Sequence, residues 1–326
     1  MDHARRKITL EELERRIRAG EIGEQEIRRY FRANEDLSSK PFFPGIEPDP
    51  ETVELPPAGV PSTFRVSFGI GDLLIKEQRG ARDLEFRNLI KSGYKGPVIV
   101  SRGDSWSLHP LLYDTVDWLR GAYAIHSFDW PGDTLDDILA DRSGWEAAIR
   151  DDGAHIFLIS GGGNDVIGGG AIAQHLNPYD PKITDPADYL RPSYHALVEA
   201  CLAKLQDVFE ALLRLSPGVS AICHGYDHVV PNGGKWIGQP MSSIGITDPE
   251  LQKSISDLMV DGYNQKLGSL AKHYAPRVYH LDLRGCVTAG WDDELHPSNT
   301  GFSQVAAHVR GAIDLLARNA PALPGR

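Results

Sequence analysis

Five short apolar runs constrain this chain more than any other feature: Val98–Val100, Tyr123–Ser127, His155–Ile159, Val219–Cys223 and Val278–Leu283. Each has the length of a strand and is bounded by turn residues. Helical patterns lie between or after them. In Ala196–Leu215, the residues Leu197, Cys201, Leu205, Phe209 and Leu212 share one face. Leu251–His273 and Gln304–Arg318 also read as helices, with Pro249 and Pro321 as punctuation. Strands alternating with helices predict an α/β fold with a parallel sheet covered on both sides. The expectation is a three-layer α/β/α sandwich with a five-stranded parallel sheet.

The region before Gly96 is less regular. Thr9 and Glu12 have capping-box spacing, and Gly20 is a natural stop, which predicts one helix. A second is expected from about Gly23 to Phe31. Together they make an N-terminal helical module over 1–36. Two short helices bury little alone, so they are expected to dock on the main domain or on another subunit. Residues 37–95 read as a Pro-rich linker and fold extension. Pro41, Pro44, Pro48, Pro50, Pro56, Pro57 and Pro61 exclude a long helix in its first part. Thr63–Ile70 alternates like a strand, and Leu84–Ile90 fits a helix or a strand. The main domain is expected over 96–326.

The chain of 326 residues is acidic, with a formal net charge of −11. That weighs against nucleic acid as a partner, because phosphate binding needs clustered Lys and Arg. Cys201, Cys223 and Cys286 follow no metal or disulfide spacing and are expected as buried thiols. No cofactor or metal pattern appears. The basic start is followed by the charged run Leu10–Arg18 rather than an apolar stretch, so no secretory signal is expected. No window approaches the roughly 18–20 apolar residues of a membrane span. A soluble, cytoplasmic protein is expected.

The chemistry gathers where the strands end. Ser101-Arg102-Gly103-Asp104-Ser105-Trp106-Ser107 follows the first run and presents a serine at the C-terminal edge of the sheet. In open α/β sheets that edge carries the site. A serine hydroxyl needs a base to take its proton, and the base needs an acid to orient it. Asp293-x-x-His296 can supply both, because residues three apart on a turn face one side. Gly132, after the second run, and Gly161-Gly162-Gly163-Asn164, after the third, offer donors for a developing oxyanion.

Gly103-Asp104-Ser105, Gly132, Gly162-x-Asn164-Asp165 and Asp293-x-x-His296 together resemble the four blocks of the SGNH (GDSL-type) hydrolase family, in order and strand context. The resemblance covers about residues 96–318. It implies a flavodoxin-like fold and ester hydrolysis through an acyl-serine intermediate. It implies Ser105 as nucleophile, His296 as general base and Asp293 as the orienting acid. The Ser105 N–H, the Gly132 N–H and the Asn164 side chain would form the oxyanion hole. Asp104 and Asp165 would hold the turns, and Asp292 is a neighbour that confuses the assignment of the acid. No Gly-x-Ser-x-Gly elbow of the other common serine esterase class occurs.

On the substrate side, Trp106, His224, Tyr226 and Asp227 are candidate contacts. His228 is a rival base only if His296 is not one. Two insertions, at 166–193 and 231–249, follow strands and are expected to rim or cover the site. The substrate expected is a small-molecule or saccharide ester carrying a short acyl group. The alternatives are a thioesterase or lipase on the same site, and a non-catalytic binding or interaction protein of the same fold.

Overall fold

The computed structural model describes residues 7–37, 43, 45–55 and 66–319. The N-terminal part contains β1 (Ile8–Thr9), α1 (Leu10–Arg18), α2 (Glu24–Ile27), β2 (Phe31–Ala33), β3 (Ile46–Pro48) and β4 (Val53–Glu54). The Thr9 hydroxyl accepts the Glu12 N–H at 3.3 Å, which caps α1 as its spacing predicts. Leu10, Leu13 and Ile17 pack with Phe31, Ile46 and Val53 in a small apolar cluster that also takes in Leu74. The second helix is α-helical only over Glu24–Ile27 and continues as a 3-10 turn over Arg28–Tyr30, before Phe31 opens β2. The stretch read as a linker instead returns to the module: β3 pairs antiparallel with β2, and β4 parallel with β1. Pro41, Pro44, Pro56, Pro57 and Pro61 lie outside the described residues.

The strand expected over Thr63–Ile70 does not form. Thr63–Arg65 lie outside the described residues, and a helix, α3, runs from Val66 to Lys91. Its buried positions include Gln78 and Arg82. Polar residues on the inward face erase the apolar stripe by which a helix is read from sequence.

The main sheet holds β5 (Val98–Arg102), β6 (Ala124–Ser127), β7 (Ile156–Ser160), β8 (Ser220–His224) and β9 (Val278–Leu281). These are the five predicted runs. The strands are parallel, in the order β6-β5-β7-β8-β9. Every residue of β5 and β7 is buried, as expected where helices cover both faces. The intervening helices are α4 (Thr115–Leu119), α5 (Leu135–Ala140), α6 (Arg142–Asp151), α7 (Gly163–Ile167), α8 (Pro192–Leu215), α9 (Gly238–Ser243), α10 (Pro249–His273) and α11 (Asn299–Asn319). α4 packs on α11, while α5, α6, α7 and α10 pack on α8. The chain order reverses between β5 and β7, and in such sheets that reversal opens a crevice at the strands' C-terminal ends.

Both insertions are folded. Residues 168–175 and 186–189 form 3-10 turns joined by a bridge between Leu176 and Leu190. Ile172, Leu176 and Tyr189 enter the main core. The second insertion contains α9, and the Tyr179 N–H donates to the Ile244 carbonyl at 2.9 Å, tying one insertion to the other. Cys201, Cys223 and Cys286 are buried free thiols. No described helix is long and apolar enough to cross a membrane.

Candidate active site

β5 ends at Arg102, and the chain then turns sharply at Gly103. A Cβ there would lie 2.5 Å from the hydroxyls of Ser107 and Ser160, so the turn requires glycine. The N–H groups of Ser107 and Leu108 donate to the Asp104 carbonyl, which carries Ser105 on a helical turn facing the crevice. Ser105 is completely buried. The following segment, through His109, is buried as well.

Ser105 Oγ lies 2.8 Å from His296 Nε2. His296 Nδ1 lies 2.7 Å from Asp293 Oδ2. The carboxylate fixes the proton on Nδ1 and leaves Nε2 to accept from the serine. The other oxygen of Asp293 accepts the N–H groups of Leu295 and His296, each at 2.7 Å. Asp292 instead donates its main-chain N–H to the His296 carbonyl. The spacing of three therefore places Asp293, not Asp292, against the ring.

Electrostatics follow from this geometry. Burial works to lower the pKa of His296, but the charge of Asp293 and its hydrogen bond outweigh it, and the result is raised above the ordinary value. For Asp293, burial acts upward, and the His296 charge and the hydrogen bonds hold the carboxyl below its usual range.

Two further turns converge. Gly132, after β6, has a φ of +79°, which glycine adopts without strain. Asn164 lies on the first turn of α7, and its Nδ2 donates to the Asp133 carbonyl at 2.8 Å. That bond fixes the amide, and a second N–H remains on the same nitrogen. Among the described residues, neither the Ser105 N–H nor the Gly132 N–H donates to a protein acceptor.

Asp104 is buried beside Ser105, and burial pushes its pKa up. It accepts the Trp106 N–H at 3.1 Å and the Tyr226 hydroxyl at 2.5 Å. The Tyr226 oxygen in turn accepts the Gly163 N–H at 2.9 Å, so one phenol ties the serine turn to the asparagine turn. Asp165 accepts the Leu135 N–H. The candidate substrate contacts mostly face inward. Trp106 Nε1 donates to the Leu295 carbonyl at 3.0 Å. His224 is buried against the Gly225 carbonyl. Asp227 accepts the N–H groups of His228, Gly285 and Val287. His228 pairs with Asp261 at 3.0 Å and takes no part in the serine cluster.

Two residues escape a sequence reading. His109, four positions after the serine, packs its ring against His296 with centroids 4.8 Å apart. Its Nδ1 accepts the N–H groups of Leu111 and Leu112, and burial holds its pKa well below the ordinary value. Glu294, buried between Asp293 and Leu295, accepts the N–H groups of Asn232, Gly234, Trp236, Ile237 and Gly238. Among the described residues, no group of three or more His, Cys, Asp or Glu side chains is placed to hold a metal.

No model of a known protein family matches the chain, and no curated protein does. Among solved structures it is similar to the lipase Lip_vut3 from a goat rumen metagenome, at 16% identity over 66% of this chain and 97% of that one, with a TM-score of 0.48. It is also similar to phospholipase A1 from Streptomyces albidoflavus NA297, at 17% identity over 67% and 99% of the two chains, with a TM-score of 0.44. A family 3 carbohydrate esterase from Clostridium thermocellum matches at 15% identity over 70% and 100%, with a TM-score of 0.41.

Proposed function

We propose that this protein is a serine hydrolase of the SGNH (GDSL-type) kind, cleaving carboxylic esters with short acyl groups through an acyl-serine intermediate. The observation that carries the reading is the hydrogen-bonded line Ser105–His296–Asp293, with spacings of 2.8 and 2.7 Å. In this reading His296 Nε2 takes the Ser105 proton as Oγ attacks the ester carbonyl carbon. The carbonyl oxygen becomes an oxyanion and accepts from the Ser105 N–H, the Gly132 N–H and Asn164 Nδ2. The tetrahedral intermediate collapses, the C–O bond to the alcohol breaks, and His296 returns its proton to the leaving oxygen. A water, deprotonated by the same Nε2, then releases the acid and regenerates Ser105. Asp293 keeps the ring in place and stabilises its charged form without taking the proton.

The test is hydrolysis of p-nitrophenyl esters, C2 to C12, by wild type and Ser105→Ala, with phosphonate labelling of the wild type. The expected result is turnover that Ser105→Ala abolishes, and labelling at Ser105. Turnover that survives Ser105→Ala, or a folded wild type neither active nor labelled, overturns the reading.

A further inference from the structure

We propose that His109 donates a hydrogen bond from Nε2 to the alcohol half of the ester, so that the site favours alcohols with a hydroxyl or ether oxygen close to the ester oxygen. The inference rests on the hydrolase reading and adds a residue that grips the leaving group.

The protein uses every polar atom of His109 except one. Its main-chain N–H donates to Asp114 Oδ2 at 2.8 Å, and its carbonyl accepts from Gln78 Nε2 at 3.2 Å. Its Nδ1 accepts the N–H groups of Leu111 and Leu112, at 3.2 and 3.0 Å. A ring nitrogen that accepts carries no proton, so the proton of the neutral ring sits on Nε2. A second proton would have to displace both bonds at Nδ1, and burial and the neighbouring His296 also oppose it. His109 is therefore a fixed donor and not a second base.

That donor meets no protein acceptor among the described residues. Nor is it enclosed. The Nε2 atoms of His224 and His280 are sealed inside the protein without a partner, whereas Nε2 of His109 is not. The residue is only 2% exposed, so the little surface it keeps includes the one polar atom left unused. With its ring and main chain already held, the N–H is aimed in advance, and an acceptor binds it at little cost in ordering.

Its place selects the half of the substrate. In the proposed reaction the carbonyl oxygen turns toward Gly132 and Asn164, while the leaving oxygen turns toward His296 Nε2, from which it takes its proton. The His109 ring stands edge to face with the His296 ring, centroids 4.8 Å apart. It therefore borders the alcohol rather than the oxyanion. An alcohol with an oxygen near the ester bond can accept from Nε2. A plain alkyl alcohol puts carbon there and leaves the N–H stripped of water without a replacement.

The experiment compares kcat/KM for 2-methoxyethyl acetate and butyl acetate, which differ by an ether oxygen in place of a methylene. Wild type should prefer the ether by about three- to tenfold. His109→Asn places an oxygen where Nδ1 accepts the Leu111 and Leu112 N–H groups, but lacks the Nε2 donor. His109→Phe keeps a ring against His296 and lacks the donor too. Each should bring the ratio to about one. A residue that merely packs against His296 would lower both esters alike and leave the ratio unchanged. An active enzyme, labelled at Ser105, whose ratio is about one in wild type or stays at the wild-type value in a folded variant overturns the role of His109 and leaves the hydrolase reading intact. If neither variant folds, the nitrogen NMR spectrum of wild-type His109 decides. A proton on Nε2 whose resonance moves on adding 2-methoxyethanol supports the role; a proton on Nδ1, or an unmoved resonance, overturns it. A folded wild type neither active nor labelled ends the hydrolase reading, and this role with it.

Discussion

The Glu294 carboxylate accepts the main-chain N–H of Gly238 at 2.8 Å, one residue along from the carboxylate that orients His296. The same oxygens take the N–H groups of Asn232, Gly234, Trp236 and Ile237. A Cβ on Gly234 would lie 2.6 Å from this carboxylate, so the loop is wrapped tightly around it. The segment 293–296 thereby holds the His296 ring with one carboxylate and the second insertion with the next. Glu294→Ala leaves several buried donors without an acceptor. It should lower unfolding free energy by at least about 2 kcal/mol, read by urea denaturation. Glu294→Gln, which keeps one acceptor oxygen, should fall between. A loss under about 0.5 kcal/mol for the alanine variant would mean that the loop is held elsewhere.

The raised pKa of His296 sets the pH dependence. In the proposed reaction His296 serves as base only when neutral, so kcat/KM should rise with pH through a midpoint above the ordinary histidine value of 6.5. The upward shift comes chiefly from Asp293, opposing burial. Asp293→Asn should therefore move the midpoint down and also lower kcat. Asp292→Asn should move it less, because that residue acts on the ring without a hydrogen bond. A profile flat from pH 5 to 9 would contradict a histidine base.

In the proposed reaction Asn164 is an oxyanion donor. Its Nδ2 is anchored by the Asp133 carbonyl, and its remaining N–H is the one free to meet an oxyanion. Asn164→Ala should reduce kcat by about 10²–10³ with KM little changed, the signature of a donor used in the transition state. Steady-state kinetics on the preferred ester measures it. A fall under about threefold would remove Asn164 from the oxyanion hole.

The inner strands β5, β7 and β8 were legible because helices cover them on both faces, which buries nearly every position and leaves an apolar run in each. The site blocks were legible because each follows a strand at the crevice edge. α3 was legible only at its end, Leu84–Ile90, which fits a helix or a strand; ahead of it the inward face carries Gln78 and Arg82 where a pattern search looks for aliphatic residues. Glu294 was hidden for another reason: its partners are main-chain N–H groups, which every sequence supplies. The inward turn of Trp106 and Asp227 was equally invisible, because their distant partners Leu295, Gly285 and Val287 are also main-chain atoms.

Arg82 shows what α3 contributes to the site. It is buried, and its guanidinium donates to both oxygens of Asp114, to Asp117 Oδ1 at 2.9 Å and to the Ser107 carbonyl at 2.8 Å. Asp114 in turn caps α4 and accepts the His109 N–H at 2.8 Å. One cation from outside the main sheet thus fixes the segment 107–117 that follows Ser105 and carries His109 against His296. Arg28 reaches the other oxygen of Asp117 at 2.6 Å, so the N-terminal module joins the same cluster. Arg82→Met removes the central charge and leaves Asp114 and Asp117 buried with their main cation gone. Breaking a buried network from one side costs on the order of 3–5 kcal/mol, and thermal unfolding should show a large drop in Tm. Arg28→Met, at the partly exposed edge, should cost less. If Arg82→Met unfolds within a degree or two of wild type, α3 is packed on the site without supporting it.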